Sequence, residues 1–162
     1  MMESALEKLF DLAKRKRATI ATAESCTGGL LAAALTEQSG ASALFDRGFI
    51  TYSNKAKVEV LGVNAGSLSD FGAVSEAVAL EMADGARRAA GSTLAVSITG
   101  IAGPGGSDFK PEGRVCFGLA GPGSTTAKTV EFGALGRSNV RTASVQHAIE
   151  LIISRLNALP GE

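Results

Sequence analysis

Hydroxyl, thiol and carboxylate side chains stand close together in one segment near the N-terminus, Thr22–Leu30, which ends in two glycines. An apolar run over 19–21 precedes it and a run rich in Ala and Leu over 30–35 follows, so we expect a strand, a turn and a helix. Glycines let the backbone of such a turn approach a ligand, and the free N–H groups at a helix start attract an anion. The same residues also fit a plain helix cap by Ser25 or Thr27. Local sequence leaves both interpretations open.

A second segment, 40–57, places Ser42 before a predicted strand and Tyr52 and two lysines after it. If Asn54 caps the next helix, Lys57 lies in the first turn, where the helix dipole opposes a positive charge. Burial would lower the pKa of that lysine further. A neutral lysine can be the general base that a serine nucleophile requires. The alternative is that both lysines are ordinary exposed residues.

A third segment joins a buried strand over 93–100 to a loop rich in glycine and proline over 101–113. The N–H groups of such a loop can face an oxyanion or a phosphate. Its second half, 107–113, could form a lid, and the alternative is a plain surface loop. The length of this loop in a small domain favours a functional role.

Several common chemistries are disfavoured by the residues present. The single histidine, His147, lies inside the predicted last helix, and neither a nucleophile elbow nor a phosphate-binding P-loop motif occurs. Cys26 and Cys116 lie far apart in the chain and do not form a zinc spacing, so we expect no metal and no cofactor. Two distant thiols fit a reduced, cytoplasmic protein better than a disulfide framework.

The balance of charge argues against a general nucleic-acid binder. The chain has 16 basic and 16 acidic residues, whereas nucleic-acid binding requires a basic surface. Its N-terminus, which carries Glu3 and Glu7, resembles a helix and not a signal peptide. No apolar run reaches about 18 residues, so we expect no membrane span.

The order of predicted elements indicates an α/β fold. We expect a three-layer α/β/α sandwich with a mixed β-sheet, in a single domain over 1–162. Part of the sheet must be antiparallel because a Gly-Pro-Gly-Ser turn at 121–124 joins two strands. The predicted helices are 3–16, 27–38, 54–61, 76–90 and about 138–159, and the predicted strands are 18–24, 44–52, 93–100, 114–120 and 125–132, with a turn-rich stretch over 64–72.

Four motifs in order give the chain a specific resemblance. They are Ala-Glu-Ser-Cys-Thr-Gly-Gly at 23–29, Arg-Gly-Phe-Ile-Thr-Tyr-Ser-Asn-Lys-Ala-Lys at 47–57, Gly-Ala-Val-Ser at 72–75 and Thr-Gly-Ile-Ala-Gly-Pro-Gly-Gly at 99–106. Over about residues 5–158 the chain resembles the CinA C-terminal domain family, whose active members are nicotinamide-nucleotide amidohydrolases of the PncC type. The resemblance implies hydrolysis of nicotinamide mononucleotide to nicotinate mononucleotide and ammonia, in pyridine nucleotide recycling.

The resemblance also implies a catalytic serine and lysine. Carried onto this chain, they are Ser42 as nucleophile and Lys57 as general base and later general acid, with Tyr52 orienting or relaying the proton. Ser25 stays open as an alternative nucleophile, and Cys26 as a further one that has no histidine near it in sequence.

The remaining site residues follow from the same resemblance. Ser25, Thr27, Gly28 and Gly29 would hold the substrate or its oxyanion, and Thr99, Gly100 and Gly103 would line the opposite wall. Arg137 or Arg141 would bind the 5′-phosphate, since arginine forms bidentate bonds with phosphate. Many relatives carry Gly-Asp-Arg before the last helix, where this chain has Leu135–Gly136–Arg137.

A second class of function stays open beside the enzyme. Some relatives are named for competence and DNA damage, and a catalytically inactive member would be a binding module or partner protein. Balanced charge speaks against direct DNA binding. We expect a nucleotide-sized substrate, no nucleic acid, no membrane and a homo-oligomer.

Overall fold

The protein is described by a computed structural model that covers residues 2–107 and 109–161. Six helices and five strands form in these ranges, together with one turn of 3₁₀ helix at Ala41–Ala43. The helices are α1 Met2–Lys16, α2 Leu30–Thr36, α3 Asn54–Leu61, α4 Ala65–Phe71, α5 Glu76–Ala90 and α6 Arg137–Ala158. The strands are β1 Ile20–Glu24, β2 Phe45–Ile50, β3 Leu94–Gly100, β4 Arg114–Gly121 and β5 Ser124–Glu131.

The strands form one mixed sheet in the order β2-β1-β3-β4-β5. β1 pairs in parallel with both β2 and β3, while β4 is antiparallel to β3 and to β5. The predicted α/β fold with a mixed sheet is confirmed. Because β1, β2 and β3 run in the same direction, their carboxyl ends meet at one edge, which is where ligands bind in open α/β sheets.

Side chains that alternate along the strands form two separate hydrophobic layers. Ile20 of β1 packs with α1, α2 and α6, whereas its neighbour Ala21 packs with α5 on the other face. The contact between α5 and the sheet is close, since a Cβ on Gly118 would lie 2.2 Å from the Ala79 carbonyl oxygen. Helices thus cover both faces of the sheet, and α5 is held firmly against one of them.

Three local details differ from the sequence predictions. Helix α4 occupies the stretch predicted as turns, where glycine and serine lower helix propensity and Asn64 supplies the cap by accepting a hydrogen bond from the Gly66 N–H. Helix α2 begins only at Leu30, because Gly28 and Gly29 have positive φ angles of 57° and 107°. Ser53 and not Asn54 caps α3. In the part of the chain that the structure describes, no helix is both long and apolar enough to cross a membrane.

Candidate active site

A cleft of about 390 Å³ opens at the carboxyl ends of the parallel strands. This volume falls within the range of roughly 300–1,000 Å³ that small-molecule sites occupy. Its polar lining consists chiefly of Ser25, Tyr52, Lys57, Thr99, Lys110 and Arg137, and glycine-rich loop 100–107 supplies much of the remainder. None of the described residues that line the cleft is acidic. Because Lys57, Lys110 and Arg137 are among the lining residues, the cleft suits an anion.

Ser25 and Lys57 meet in this cleft. The Nζ of Lys57 donates a hydrogen bond of 2.9 Å to the Ser25 Oγ, and two further bonds of 2.7 and 3.0 Å to the carbonyl oxygens of Thr51 and Tyr52. Ser25 directly follows β1, and Lys57 lies on the buried face of α3, which begins shortly after the end of β2. The parallel pairing of β1 with β2 therefore brings together two residues that are 32 positions apart.

The environment of Lys57 favours its neutral form. The side chain is fully buried, and its three acceptors are a hydroxyl and two carbonyl groups, none of which carries a charge. Burial lowers the pKa of the Lys57 ammonium from 10.5 to about 8, against a smaller opposing effect of the Cys26 thiol. A substantial fraction of Lys57 is thus neutral near pH 8, as a general base for Ser25 must be.

The expected pairing of Ser42 with Lys57 is not found. Ser42 is exposed on the 3₁₀ turn before β2, at the end of the sheet where β1 begins. Lys57 follows the other end of β2, and a strand of five to six residues spans roughly 13–17 Å at 3.3 Å per residue. Ser42 also does not line the cleft. The geometry favours the alternative nucleophile, Ser25.

Tyr52 and Arg137 lie together at the mouth of the cleft. The Tyr52 ring is largely exposed, and its hydroxyl accepts a hydrogen bond of 3.0 Å from Arg137 Nη2. Arg137 Nη1 donates to the Gly103 carbonyl oxygen at 2.7 Å. The Tyr52 side chain therefore faces Arg137, and only its carbonyl contacts Lys57. This arrangement does not support a direct proton relay between the Tyr52 hydroxyl and Lys57.

The start of α2 is not available to an anion. The Gly29 N–H and the Thr27 hydroxyl donate to Oε1 of Glu24, and the Gly28 N–H donates to the Ser25 carbonyl oxygen. The geometry does not favour the Thr27 hydroxyl or the Gly28 and Gly29 N–H groups as substrate contacts, because all three already donate to acceptors within the protein. Among the described residues, no residue other than Cys26 itself accepts a hydrogen bond from the N–H groups of Cys26 and Thr27, which lie next to Ser25 in the chain.

Arg141 supports the turn that carries Ser25. Its Nε donates to the Cys26 carbonyl oxygen at 3.0 Å and its Nη2 to that of Thr27 at 3.3 Å. Arg141 does not line the cleft, whereas Arg137, four residues earlier on α6, does. Of the two arginines proposed for phosphate, Arg137 is therefore the one that faces the cleft.

The predicted opposite wall forms part of the cleft. Thr99, Gly100 and Gly103 all line it, and the Thr99 hydroxyl donates to the Ala73 carbonyl oxygen at 2.9 Å, which attaches the segment before α5 to β3. Lys110, which sequence reasoning did not single out, also lines the cleft. Its Nζ donates to the carbonyl oxygens of Phe71 and Val74, both at 2.6 Å. The sequence signal for Lys110 was its position in the long loop over 101–113.

Cys26 lines the cleft but is poorly suited to be the nucleophile. Burial raises the pKa of the Cys26 thiol to about 11. A thiol rather than a reactive thiolate is therefore present at neutral pH. Within residues 2–107 and 109–161, no three His, Cys, Asp or Glu side chains are grouped to hold a metal ion. His147, whose ring packs 4.6 Å from that of Phe117, lies outside the cleft.

Comparison with known proteins identifies relatives across nearly the whole chain. Residues 2–156 match the family described as CinA C-terminal domain. A CinA-like protein of Kosmotoga olearia is 45% identical over 93% of this chain, which spans 36% of that relative's length. A protein of Enterobacter agglomerans named nicotinamide-nucleotide amidohydrolase PncC is 59% identical over 67% of this chain and 66% of its own.

Solved structures of similar proteins share the fold. The competence/damage inducible protein CihA from Agrobacterium tumefaciens is 44% identical, with a TM-score of 0.92 over 96% of this chain and 95% of the other. A CinA superfamily protein from Klebsiella pneumoniae is 34% identical, with a TM-score of 0.94 over 98% of this chain and 99% of the other.

Proposed function

The chain belongs to the CinA C-terminal domain family, and we propose that it is an amidohydrolase that converts nicotinamide mononucleotide to nicotinate mononucleotide and ammonia. The name of the Enterobacter agglomerans relative supports this substrate. The observation that carries the proposal is the contact of 2.9 Å between the buried Lys57 Nζ and the Ser25 Oγ in a cationic cleft. A serine needs such a base, and an anionic nucleotide needs such a cleft.

In the first half of the proposed reaction, neutral Lys57 takes the hydroxyl proton of Ser25. The Ser25 oxygen bonds to the carboxamide carbon, and the carbonyl oxygen becomes an oxyanion. The N–H groups of Cys26 and Thr27 are the proposed donors to this oxyanion. The resulting Lys57 ammonium returns its proton to the amide nitrogen as the C–N bond breaks, which releases ammonia and leaves a nicotinoyl ester on Ser25.

In the second half, water hydrolyses this ester. Lys57, neutral again, takes a proton from the water, whose oxygen bonds to the ester carbon. The ammonium then returns the proton to the Ser25 oxygen as the ester bond breaks. The products are the free carboxylic acid, which ionises to nicotinate mononucleotide, and the original enzyme.

Ammonia release is the direct test of this proposal. Purified protein is incubated with nicotinamide mononucleotide, and with nicotinamide riboside as the matched substrate that lacks the phosphate. We expect turnover of the mononucleotide, with nicotinate mononucleotide formed in equal amount to ammonia. A folded sample that turns over neither compound would contradict the proposed activity and favour a binding module.

The pH dependence of the reaction should follow Lys57. Its pKa is lowered to about 8, and only the neutral amine can take a proton from Ser25. We therefore expect kcat/KM to rise with pH through about 8, with a slope near tenfold per pH unit well below that value. Initial rates between about pH 6 and 9 measure it. A rate that stays constant over this interval would exclude Lys57 as the base, provided that circular dichroism shows a folded protein throughout.

Arg137 is the proposed contact for the 5′-phosphate. Its guanidinium lies at the cleft mouth, where it donates to the Tyr52 hydroxyl and the Gly103 carbonyl oxygen. Arg137→Ala should lower kcat/KM for the mononucleotide by about ten- to a hundredfold, the value of one charge-assisted contact, and change that for the riboside by less than about threefold. Arg155→Ala, on the far part of α6, is the matched control. An equal loss with both substrates would assign Arg137 to cleft structure and not to phosphate binding.

A further inference from the structure

Glu24, the last residue of β1, has a buried carboxylate that accepts hydrogen bonds from four donors. Its Oε1 accepts from the Thr27 hydroxyl at 2.6 Å and from the N–H groups of Gly29 and Leu31 at 3.2 and 2.9 Å. Its Oε2 accepts from the Ala32 N–H at 3.0 Å. A buried charge is tolerated only when its polar atoms are satisfied in this way.

This carboxylate replaces the cap that α2 lacks. The residue at the N-cap position, Gly29, has no side chain to bond the first helical N–H groups. Glu24 bonds them from the strand instead, and its negative charge faces the positive end of the helix dipole. The four residues between Glu24 and Gly29 are therefore fixed at both ends by one side chain, and the first of them is Ser25.

The main chain of Glu24 is linked to Lys57 through Thr51. Its carbonyl oxygen accepts from the Thr51 N–H at 2.9 Å, and the Thr51 carbonyl accepts from Lys57 Nζ at 2.7 Å. The carboxylate itself makes no bond to Lys57, whose acceptors are Ser25, Thr51 and Tyr52. Glu24 is thus placed to hold the serine and the lysine in register without contacting substrate.

We propose that Glu24 is a positioning residue, whose carboxylate fixes the turn 25–28 so that the Ser25 hydroxyl stays within hydrogen-bond distance of Lys57. This inference rests on the proposed function, since it gives Ser25 the role of nucleophile. All four donors point at oxygen atoms, so a carboxylate is required and its amide is a poor substitute. Glutamine has the same shape but must direct its NH₂ group at one of the N–H donors, and the loss of that bond loosens the turn.

The variant Glu24→Gln tests the inference through kcat and KM measured separately. We expect kcat to fall by about ten- to a hundredfold, as for a small displacement of a reacting group, and KM to change by less than about threefold. A fluorophosphonate that labels activated serines should react with Ser25 more slowly by the same factor as kcat. The labelled residue is identified by mass spectrometry.

Asn64→Ala provides a matched control, because it removes a helix N-cap that lies outside the cleft. It should lower the melting temperature and leave kcat and the labelling rate unchanged. Should Glu24→Gln fail to fold, Glu24→Asp takes its place, since the shorter carboxylate cannot reach both Leu31 and Ala32. For Glu24→Asp we also expect a lower kcat, with a smaller decrease than for Glu24→Gln.

The outcomes separate this inference from the proposed function. If wild-type protein releases ammonia and the folded Glu24 variants keep wild-type kcat and labelling, the positioning role is overturned while the activity stands. If wild-type protein releases no ammonia, the substrate is overturned, and the labelling rates alone decide on Glu24. If Ser25 is not labelled in the wild type, it is not an activated nucleophile, and the positioning role falls with it.

Discussion

Ser25→Ala should lower kcat for nicotinamide mononucleotide by at least about a thousandfold, while Ser42→Ala should stay within about twofold of wild type. Ser25 Oγ is the hydroxyl that receives the Lys57 hydrogen bond, whereas Ser42 is exposed at the opposite end of the parallel strands. Loss of a nucleophile removes the covalent route entirely. Steady-state ammonia release by the two purified variants measures the difference.

The two serine variants serve as controls for each other. Both substitutions remove one hydroxyl, and the melting temperature of each variant shows that it is folded at the assay temperature. An inactive Ser42 variant beside an active Ser25 variant would contradict the assignment and return the nucleophile to Ser42. Mass spectrometry of a reaction stopped early should find the nicotinoyl ester on the peptide that contains Ser25.

Lys57→Met should abolish turnover, by about a hundred- to ten-thousandfold as for loss of a general base, without lowering stability at neutral pH. The wild-type ammonium is fully buried with only neutral acceptors, and an apolar side chain of similar length removes that charge. Replacement of buried charges by apolar groups is often neutral or stabilising by about 1–4 kcal/mol. The carbonyls of Thr51 and Tyr52 lose a donor, which offsets part of the gain. Ammonia release and thermal melting measure the two effects.

The difference in stability between wild type and Lys57→Met should depend on pH. The pKa of Lys57 is about 8 in the folded protein and 10.5 in an ordinary lysine, so between these values the unfolded chain binds more protons. Wild-type stability should therefore gain a contribution as pH rises across this interval, and the Met variant should lack it. Any stability advantage of the variant is largest below pH 8 and declines toward pH 10.5. A variant that melts well below wild type at pH 7 would show that the lysine also supports the fold.

Much of the fold could be predicted because the chain alternates clear apolar segments with turn residues. All five strands and every described helix except α4 were indicated within a few residues of their observed bounds. Helix α4 was not, since its sequence has weak propensity and its stability comes from tertiary contacts that no local pattern contains. Glu81 of α5 supplies two of them, one to the Asn64 N–H and one to the Ser67 hydroxyl.

The site was predicted less completely, and the reason is geometric. Lys57 and the opposite wall were predicted and line the cleft, whereas Ser42 was carried over from the serine–lysine pair of the resembling family and does not line it. A strand lies between those two residues and separates their side chains, whereas Ser25 and Lys57 follow the ends of adjacent parallel strands. Strand order depends on contacts between distant parts of the chain, and no local sequence pattern predicts that β1 and β2 are neighbours. The role of Glu24 was also missed, since its four donors converge only in the folded turn.

The spacing of Arg137 and Arg141 on α6 sets the position of the glycine-rich loop relative to the turn that carries Ser25. One guanidinium bonds to the loop at Gly103 and the other to the turn at Cys26, from positions four residues apart on one helical face. Insertion of a single residue between them would rotate one arginine by about 100° relative to the other, and both bonds could not form together. A change of length within this interval would therefore detach either the loop or the turn from α6.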